Sequence, residues 1–202
     1  MLDNKLIKFC EENFLNEKTI LEKLNEYKKI LIDENDKMNL IGKSTIEDFD
    51  YRHLLDCIQL VKHLPKTYTN LMDIGTGAGL PGIILAIIGF KNLHLVEKSP
   101  KKSVFLENCK LRLGLEYIVH NKSVSEISNL KIDYITARAF APIEKIISLT
   151  KKIINKKTKF ILLKGKNYLS ELDIINPKKY SWETYPSITS NESKVIIMVA
   201  RW

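Results

Sequence analysis

The stretch LMDIGTGAGLPG, from Leu71 to Gly82, decides the reading of this chain. An apolar run reaches Asp73, then Gly75, Gly77 and Gly79 follow at alternate positions, and Pro81 stands where a helix opens. Glycines permit a tight turn and let main-chain N–H groups approach a ligand that any Cβ would hold away. The segment therefore predicts a strand, a cofactor-binding turn and a helix. A dinucleotide fingerprint reads GxGxxG and sets a pyrophosphate on the helix N-terminus, whereas this loop reads DxGxGxG. The acid at Asp73 suits a cationic ligand and is unfavourable beside a pyrophosphate, which argues against a nicotinamide-dependent dehydrogenase. A second acid, Glu97, ends the run HLVEK about twenty residues beyond Gly77, the separation at which a carboxylate meets the ribose hydroxyls of an adenosine cofactor.

Outward from this loop, the chain beyond Lys66 alternates short β-branched runs with helical segments, the pattern of a parallel sheet with crossover helices. The predicted strands are NLMDI, NLHLVEK, LEYIVH, IDYITARA, KFILLKG and SKVIIMVARW. The predicted helices are PGIILAIIG, SPKKSVFLENCKLRLG, APIEKIISLTKKII and NYLSELDII. Before Lys66, apolar residues recur at helical spacing from Asp3 to about Asp33 (Leu6, Phe9, Phe14, Ile20, Leu21, Leu24, Tyr27, Leu31), which predicts two helices. ENDKMNLIGKST then breaks the pattern, and Ser44 or Thr45 is positioned to cap a third helix through Tyr51, Leu54, Leu55, Ile58 and Val61, ended by Pro65. The expected organisation is an N-terminal helical extension over residues 1–65, packed as a cap on a Rossmann-like α/β domain over residues 66–202.

Composition sets the class. With 202 residues, 45% hydrophobic and 28% charged, the chain is in the ordinary globular range and long enough to bury a core without disulfides or a structural metal. Cys10, Cys57 and Cys109 are few, widely spaced and without a CxxC pair, so they suggest neither a disulfide framework nor a zinc site and suit a reducing cytoplasm. The opening MLDNKLIKFCEENF lacks the basic segment and apolar block of a secretory signal, and the most apolar stretch, Leu80 to Phe90, is about half a membrane span. A net charge of +8 favours a polyanionic partner, although lysine-rich composition also arises without one. No long heptad pattern or apolar surface stripe appears, so a monomer is expected.

The loop resembles motif I of the class I S-adenosylmethionine methyltransferases, with Glu97 matching their ribose-binding acid. MNLIG (Met38 to Gly42), YRHLLDC (Tyr51 to Cys57), DIGTGAGLPGI (Asp73 to Ile83), ARAFAP (Ala137 to Pro142) and LLKG (Leu162 to Gly165) occur in the order seen in the RsmG family, also called glucose-inhibited division protein B. The resemblance covers nearly the whole chain. It implies a Rossmann-like, mostly parallel, seven-stranded-type sheet with helices on both faces, and methyl transfer from S-adenosylmethionine to N7 of a guanine in 16S rRNA. The implied target lies in the 530 loop, at position 527 in the usual bacterial RNA numbering, met on naked RNA or on a small-subunit particle.

The same resemblance implies cofactor contacts at Asp73, Gly75, Gly77, Gly79, Leu80, Glu97, Val124, Ser125 and Arg138, and RNA contacts at Arg138, Lys122, Lys164 and Lys194. Plainer readings stand beside these. Leu80 also reads as core, Val124 and Ser125 as the start of a short helix, and Arg138 as one half of an ion pair. His53 reads as a structural histidine, Arg52 and Asp56 as an i,i+4 pair, and SPKKS (Ser99 to Ser103) as a solvated helix start or a phosphate contact. The chain departs from the family at Ser123, where an arginine is usual, at Lys194, which stands for a second basic residue, and at Glu34 and Asn35, where a tryptophan is common. N7 presents its lone pair without losing a proton, so the reaction needs no general base. No acid–base residue is assigned, Arg138 is given a positioning role, and no metal is expected. The rival classes are a methyltransferase of the same fold acting on a small molecule or protein, and an inactive RNA-binding module.

Overall fold

The computed structural model describes residues 2–201; Met1 of the opening segment and Trp202 of the last predicted strand lie outside the described residues. Three helical pieces open the chain. α1 (Asn4–Asn13) starts at Asp3, whose Oδ1 accepts from the Lys5 and Leu6 amides, and α2 (Glu17–Met38) turns its apolar stripe inward. α2 runs five residues past the predicted end at Asp33. Asn35, which reads as a breaker in sequence, is buried and its Oδ1 accepts from the Ile41 amide at 2.8 Å, so it fastens the following loop. A π-helical turn (Asp50–Leu55) leads into α3 (Asp56–Ile58) and a 3₁₀ turn (Gln59–Lys62). The predicted cap at Ser44 or Thr45 is not formed: those residues lie in a separate 3₁₀ turn, where the Thr45 hydroxyl donates to the Gly42 carbonyl.

The sheet contains β1 (Leu71–Ile74), β2 (Leu93–Val96), β3 (Ile118–His120), β4 (Tyr134–Arg138), β5 (Lys159–Lys164), β6 (Tyr180–Pro186) and β7 (Lys194–Ala200), in the order β3-β2-β1-β4-β5-β7-β6. The first five run parallel, and β7 enters antiparallel between β5 and β6. The intervening helices are α4 (Gly82–Ile87), α5 (Pro100–Leu113), α6 (Ile143–Thr150) and α7 (Tyr168–Asp173). α5 begins as its sequence directs, with Ser99 accepting from the Lys102 amide and Pro100 in the first turn, and it ends at left-handed Gly114.

Successive strand residues point to opposite faces and feed two cores. Leu71, Leu93, Leu95, Ile161, Leu163 and Val195 pack with α1–α5 on one face, while Met72, Ile74, Val96, Phe160, Leu162 and Ile196 pack with α6 and α7 on the other. The helices before Leu64 thus share one core with α4 and α5. β6 escaped the sequence reading because YSWETYP is an edge strand, mostly exposed or half-buried and ending in proline, with none of the apolar continuity of its neighbours. Cys10, Cys57 and Cys109 are free and buried, and burial pushes the Cys10 and Cys109 thiols up to about 12. No helix among the described residues is long and apolar enough to cross a membrane, and no group of acidic, histidine and cysteine residues among them is arranged to hold a metal.

Candidate active site

β1 lies between β2 and β4, so the chain winds outward from β1 in one direction and from β4 in the other. Such a switch point leaves a crevice at the C-terminal strand ends, where open α/β sheets take ligands. Two loops face each other there: Gly75–Leu80 after β1 and Ala139–Pro142 after β4.

The first loop is built around Asp73. Its carboxylate is fully buried and accepts from the Thr76 hydroxyl (2.5 Å) and the Gly82 amide (2.9 Å) through Oδ2, and from the Thr136 hydroxyl (3.0 Å) through Oδ1. Thr136 is its register partner on β4. Burial raises the Asp73 carboxyl to about 6, with the hydrogen bonds opposing that rise. Asp73 therefore braces the loop from beneath and lines neither of the two cavities at this crevice, whereas the sequence reading has it facing a cationic ligand. Gly79 is likewise a packing position, since a Cβ there would lie 2.4 Å from Ile83 Cδ1.

The upper surface of the loop does face a cavity, of about 710 Å³, lined by Gly75, Gly77, Leu80, Glu97 and Val124 among others. Gly75 has φ +62°, and a Cβ would fall 1.9 Å from Phe140 Cδ2, so this glycine lets the Phe140 ring lie over the turn. Glu97 follows β2 with one oxygen accepting from the Gly77 amide (3.1 Å) and the other from the Ser99 amide (2.8 Å). The carboxylate is thereby fixed at the cavity wall. Val124 lines the same wall, but Ser125 does not; its neighbour Ser123 does, in a capping box with Glu126 that starts a short 3₁₀ turn. The loop after α2 closes the far side through Leu40, Ile41 and Gly42, and from α2 itself the Tyr27 hydroxyl donates to the Ala78 carbonyl at 2.7 Å.

Arg138, at the end of β4, is held rather than free. Its Nε donates to Asp56 Oδ2 (2.9 Å), and Nη2 donates to the Arg52 carbonyl (3.0 Å) and to His53 Nδ1 (2.9 Å). Asp56 thus pairs with Arg138 and not with Arg52, contrary to the i,i+4 reading. A guanidinium only donates, so His53 Nδ1 must accept and the ring must be neutral. That agrees with a His53 pKa lowered to about 3 by burial and by the Arg138 and Arg52 charges. Its Nε2 then donates to Thr45 Oγ1 (2.7 Å). Asp56 Oδ1 also accepts from Gln59, Ser187 and Thr189, which ties the loop after β6 to the same junction.

A second cavity, of about 510 Å³, lies on the other side of Arg138, Ala139, Phe140 and Ala141, four residues that line both. Ala139 has φ +49°, a conformation that costs a residue with a Cβ on the order of 1 kcal/mol. That kink separates Arg138, tied to the N-terminal helices, from Phe140, seated over Gly75. Lys164 lines this cavity with its ammonium on Glu171 (2.6 Å) and the Ala141 carbonyl (2.9 Å). Lys194 stands opposite Lys164 in the strand register but lines neither of these two cavities. Lys122 does reach the larger cavity's rim, with Lys98, Lys102 and Lys145, and none of these four pairs with a carboxylate among the described residues. Phe140, Asp56, Tyr27 and Glu171 were missed as site residues. Phe140 and Asp56 had a signal, their places inside ARAFAP and YRHLLDC.

The chain matches the family model described as GidB, rRNA small subunit methyltransferase G, over residues 20–191. It is 35% identical over 180 residues to the ribosomal RNA small subunit methyltransferase G of Rickettsia rickettsii (strain Sheila Smith), covering 88% of this chain and 92% of that protein. The same-named protein of Rickettsia massiliae (strain Mtu5) is also 35% identical, over 88% of this chain and 91% of its own length. Among solved structures the fold is similar to magnesium protoporphyrin IX methyltransferase from Synechocystis PCC 6803, at TM-score 0.61 and 16% identity, over 87% of this chain and 97% of that one. It is similar too to the ribosomal protein L11 methylase of Lactobacillus delbrueckii subsp. bulgaricus, at TM-score 0.62 and 14% identity, over 80% and 81% of the two chains. With the family model spanning most of the chain and relatives at this identity over nearly their whole length, the chain belongs to the rRNA small subunit methyltransferase G family.

Proposed function

We propose that this protein transfers the methyl group of S-adenosylmethionine to N7 of a guanine in 16S rRNA, the base at position 527 of the 530 loop. The observation that carries the reading is the pair of cavities meeting at Arg138–Ala141, one beside a glycine turn clamped by Glu97, the other beside a lysine–glutamate pair.

The larger cavity fits the cofactor. Its volume lies within the ordinary range for small-molecule sites. Leu80, Val124 and Leu40 offer an apolar wall for an adenine, and Glu97 offers acceptor lone pairs to ribose hydroxyls. Gly75, Gly77 and Ala78 bring main chain to its floor without side-chain bulk. Ser123, rather than Ser125, is the hydroxyl at this wall. When bound, S-adenosylmethionine supplies a methyl group on a sulfonium, which N7 attacks with its existing lone pair.

The chain's own contribution is to bind, align and exclude water. The reaction asks for no general base, and neither His53 nor Asp56 is placed as one: His53 is neutral and spends Nδ1 on Arg138, while Asp56 is saturated by its partners. Holding two reactants in line is worth roughly 7–11 kcal/mol of barrier. Arg138 acts as a positioning residue, joining the β4 end to the N-terminal helices. The rim lysines Lys98, Lys102, Lys122 and Lys145 supply the positive field for phosphates, whether the RNA is free or in a small-subunit particle. Free, buried cysteines accord with work in a reducing cytoplasm.

Isothermal titration with S-adenosylmethionine, on the wild-type protein and on Glu97→Ala, tests the cofactor half of this reading. Binding by the wild type, weakened at least about 10-fold in the variant, is expected for loss of a fixed carboxylate acceptor. Equal binding by both proteins, or none by the wild type, would remove Glu97 or the cofactor from the account.

A further inference from the structure

N7 carries the same lone pair in guanine and adenine, so the attacking atom cannot select the base. Selection comes from the groups around it: guanine presents an acceptor at O6 followed by donors at N1 and N2, and adenine presents a donor at N6 and an acceptor at N1. On the Watson–Crick edge N1 and N2 lie across the base from N7, and O6 stands at the corner beside N7. A guanine reaching the larger cavity with N7 therefore directs N1 and N2 away from it, toward the smaller one, with O6 at the junction of the two.

The smaller cavity holds a matching set. Two carboxylates line it. Asp56 is consumed by Arg138, Gln59, Ser187 and Thr189. Glu171 is different: Oε2 accepts from Lys164 Nζ (2.6 Å) and from the Ile143 amide at the start of α6 (2.8 Å), while Oε1 has no partner among the described residues. A carboxylate offers about four lone-pair sites, so half its capacity is unspent. Its side chain is 21% exposed and that of Lys164 11%, which places both at a cavity wall rather than on open surface. Lys164 has three N–H donors and spends two, on Glu171 and on the Ala141 carbonyl. Phe140, shared with the cofactor cavity, gives an aromatic face on which a flipped-out base stacks.

Resting on the methyl-transfer reading above, we infer that Glu171 and Lys164 read the target guanine in the smaller cavity, Glu171 Oε1 accepting from N1–H and N2–H and Lys164 donating to O6. Adenine is rejected there because its N1 acceptor faces the carboxylate and its N6 donor faces the ammonium. Glu171 is a specificity-determining residue; its bond to the Ile143 amide is a separate structural duty, met by the other oxygen.

The test measures methyl transfer from S-adenosylmethionine to 16S RNA carrying guanine, or inosine, at the methylated position. Inosine keeps N7, O6 and N1–H and lacks only the N2 amine. The wild type is expected to prefer guanine over inosine at least about 10-fold, the loss of a hydrogen bond to a charged acceptor. Glu171→Gln keeps its oxygen for the Ile143 amide and Lys164, which share Oε2 in the wild type, and so turns an NH₂ donor toward the base. It should methylate guanine at least about 10-fold more slowly, bind S-adenosylmethionine as the wild type does, and lose most of the guanine-over-inosine preference. A merely structural Glu171 would lower both rates and leave their ratio unchanged. Equal wild-type rates on guanine and inosine, or an unchanged ratio in the variant, would overturn the inference. The guanine RNA with wild-type enzyme reports separately on the methyl-transfer reading: if it is not methylated, that reading falls first and takes this one with it.

Discussion

Replacing Asp73 by asparagine separates a buried brace from a ligand-facing acid. Asp73 has no solvent exposure, and burial raises its carboxyl from 3.8 to about 6 against hydrogen bonds from Thr76, Gly82 and Thr136. A carboxyl that holds its proton more tightly folded than unfolded gives its full stabilisation below the unfolded pKa and loses it as pH rises through the folded one. The window is therefore from 3.8 to about 6, and stability falls with rising pH across it. A difference of about 2 in pKa corresponds to about 3 kcal/mol. The asparagine carbonyl still accepts from Thr76 and Gly82, and its NH₂ faces Thr136, whose hydroxyl accepts as well as donates. The variant lacks the titration, so its stability relative to wild type should rise by about 3 kcal/mol between about pH 4 and pH 7. Urea unfolding followed by circular dichroism at several pH values measures this, with equal m-values confirming the same transition. A flat or falling difference would mean that the carboxylate is hydrated or neutralised by a cation, and the account of the loop would be wrong.

Gly75→Ala forces a Cβ to within 1.9 Å of the Phe140 ring at φ +62°, so binding of S-adenosylmethionine measured by titration should weaken by at least about 10-fold, since the backbone term alone is about 1–2 kcal/mol. Asp56→Ala leaves the Arg138 guanidinium, 18% exposed, without its carboxylate. Denaturant unfolding should show a loss of about 2–3 kcal/mol, below the cost for a fully buried pair. Lys102→Ala and Lys122→Ala each remove an unpaired charge from the cavity rim; in RNA-binding assays at varied salt, each should reduce the slope of log affinity against log salt by about 0.7.

The parts of this molecule legible in its sequence are those where one residue pattern has one physical meaning. DIGTGAGLPG fixed strand, turn and helix because glycines at alternate positions serve few other purposes, and Ser99-Pro100 with Gly114 marked both ends of α5. Glu97 was reachable because its spacing from Gly77 is a chain-length constraint, and the two are joined by a hydrogen bond. Asp73 was recognised, but its bracing role beneath the loop was not legible, since that rests on a hydrogen bond from Thr136, which is 63 residues away. The same limit applied to Arg138 and Asp56, which are 82 residues apart. An i,i+4 neighbour at Arg52 was the nearer candidate for Asp56, and only packing shows that Arg138 reaches it first. β6 was hidden because an edge strand half in solvent has no apolar signature. Glu171 reads as one more surface acid on a short helix until the cavity beside it is in view.

The central claim is most directly tested by incubating the protein with labelled S-adenosylmethionine and 16S RNA, or small subunits, from cells lacking its gene, and mapping the labelled nucleotide. The account predicts label at N7 of the single 530-loop guanine at position 527. Label at another atom or nucleotide, or none in RNA while the protein binds the cofactor, would contradict it.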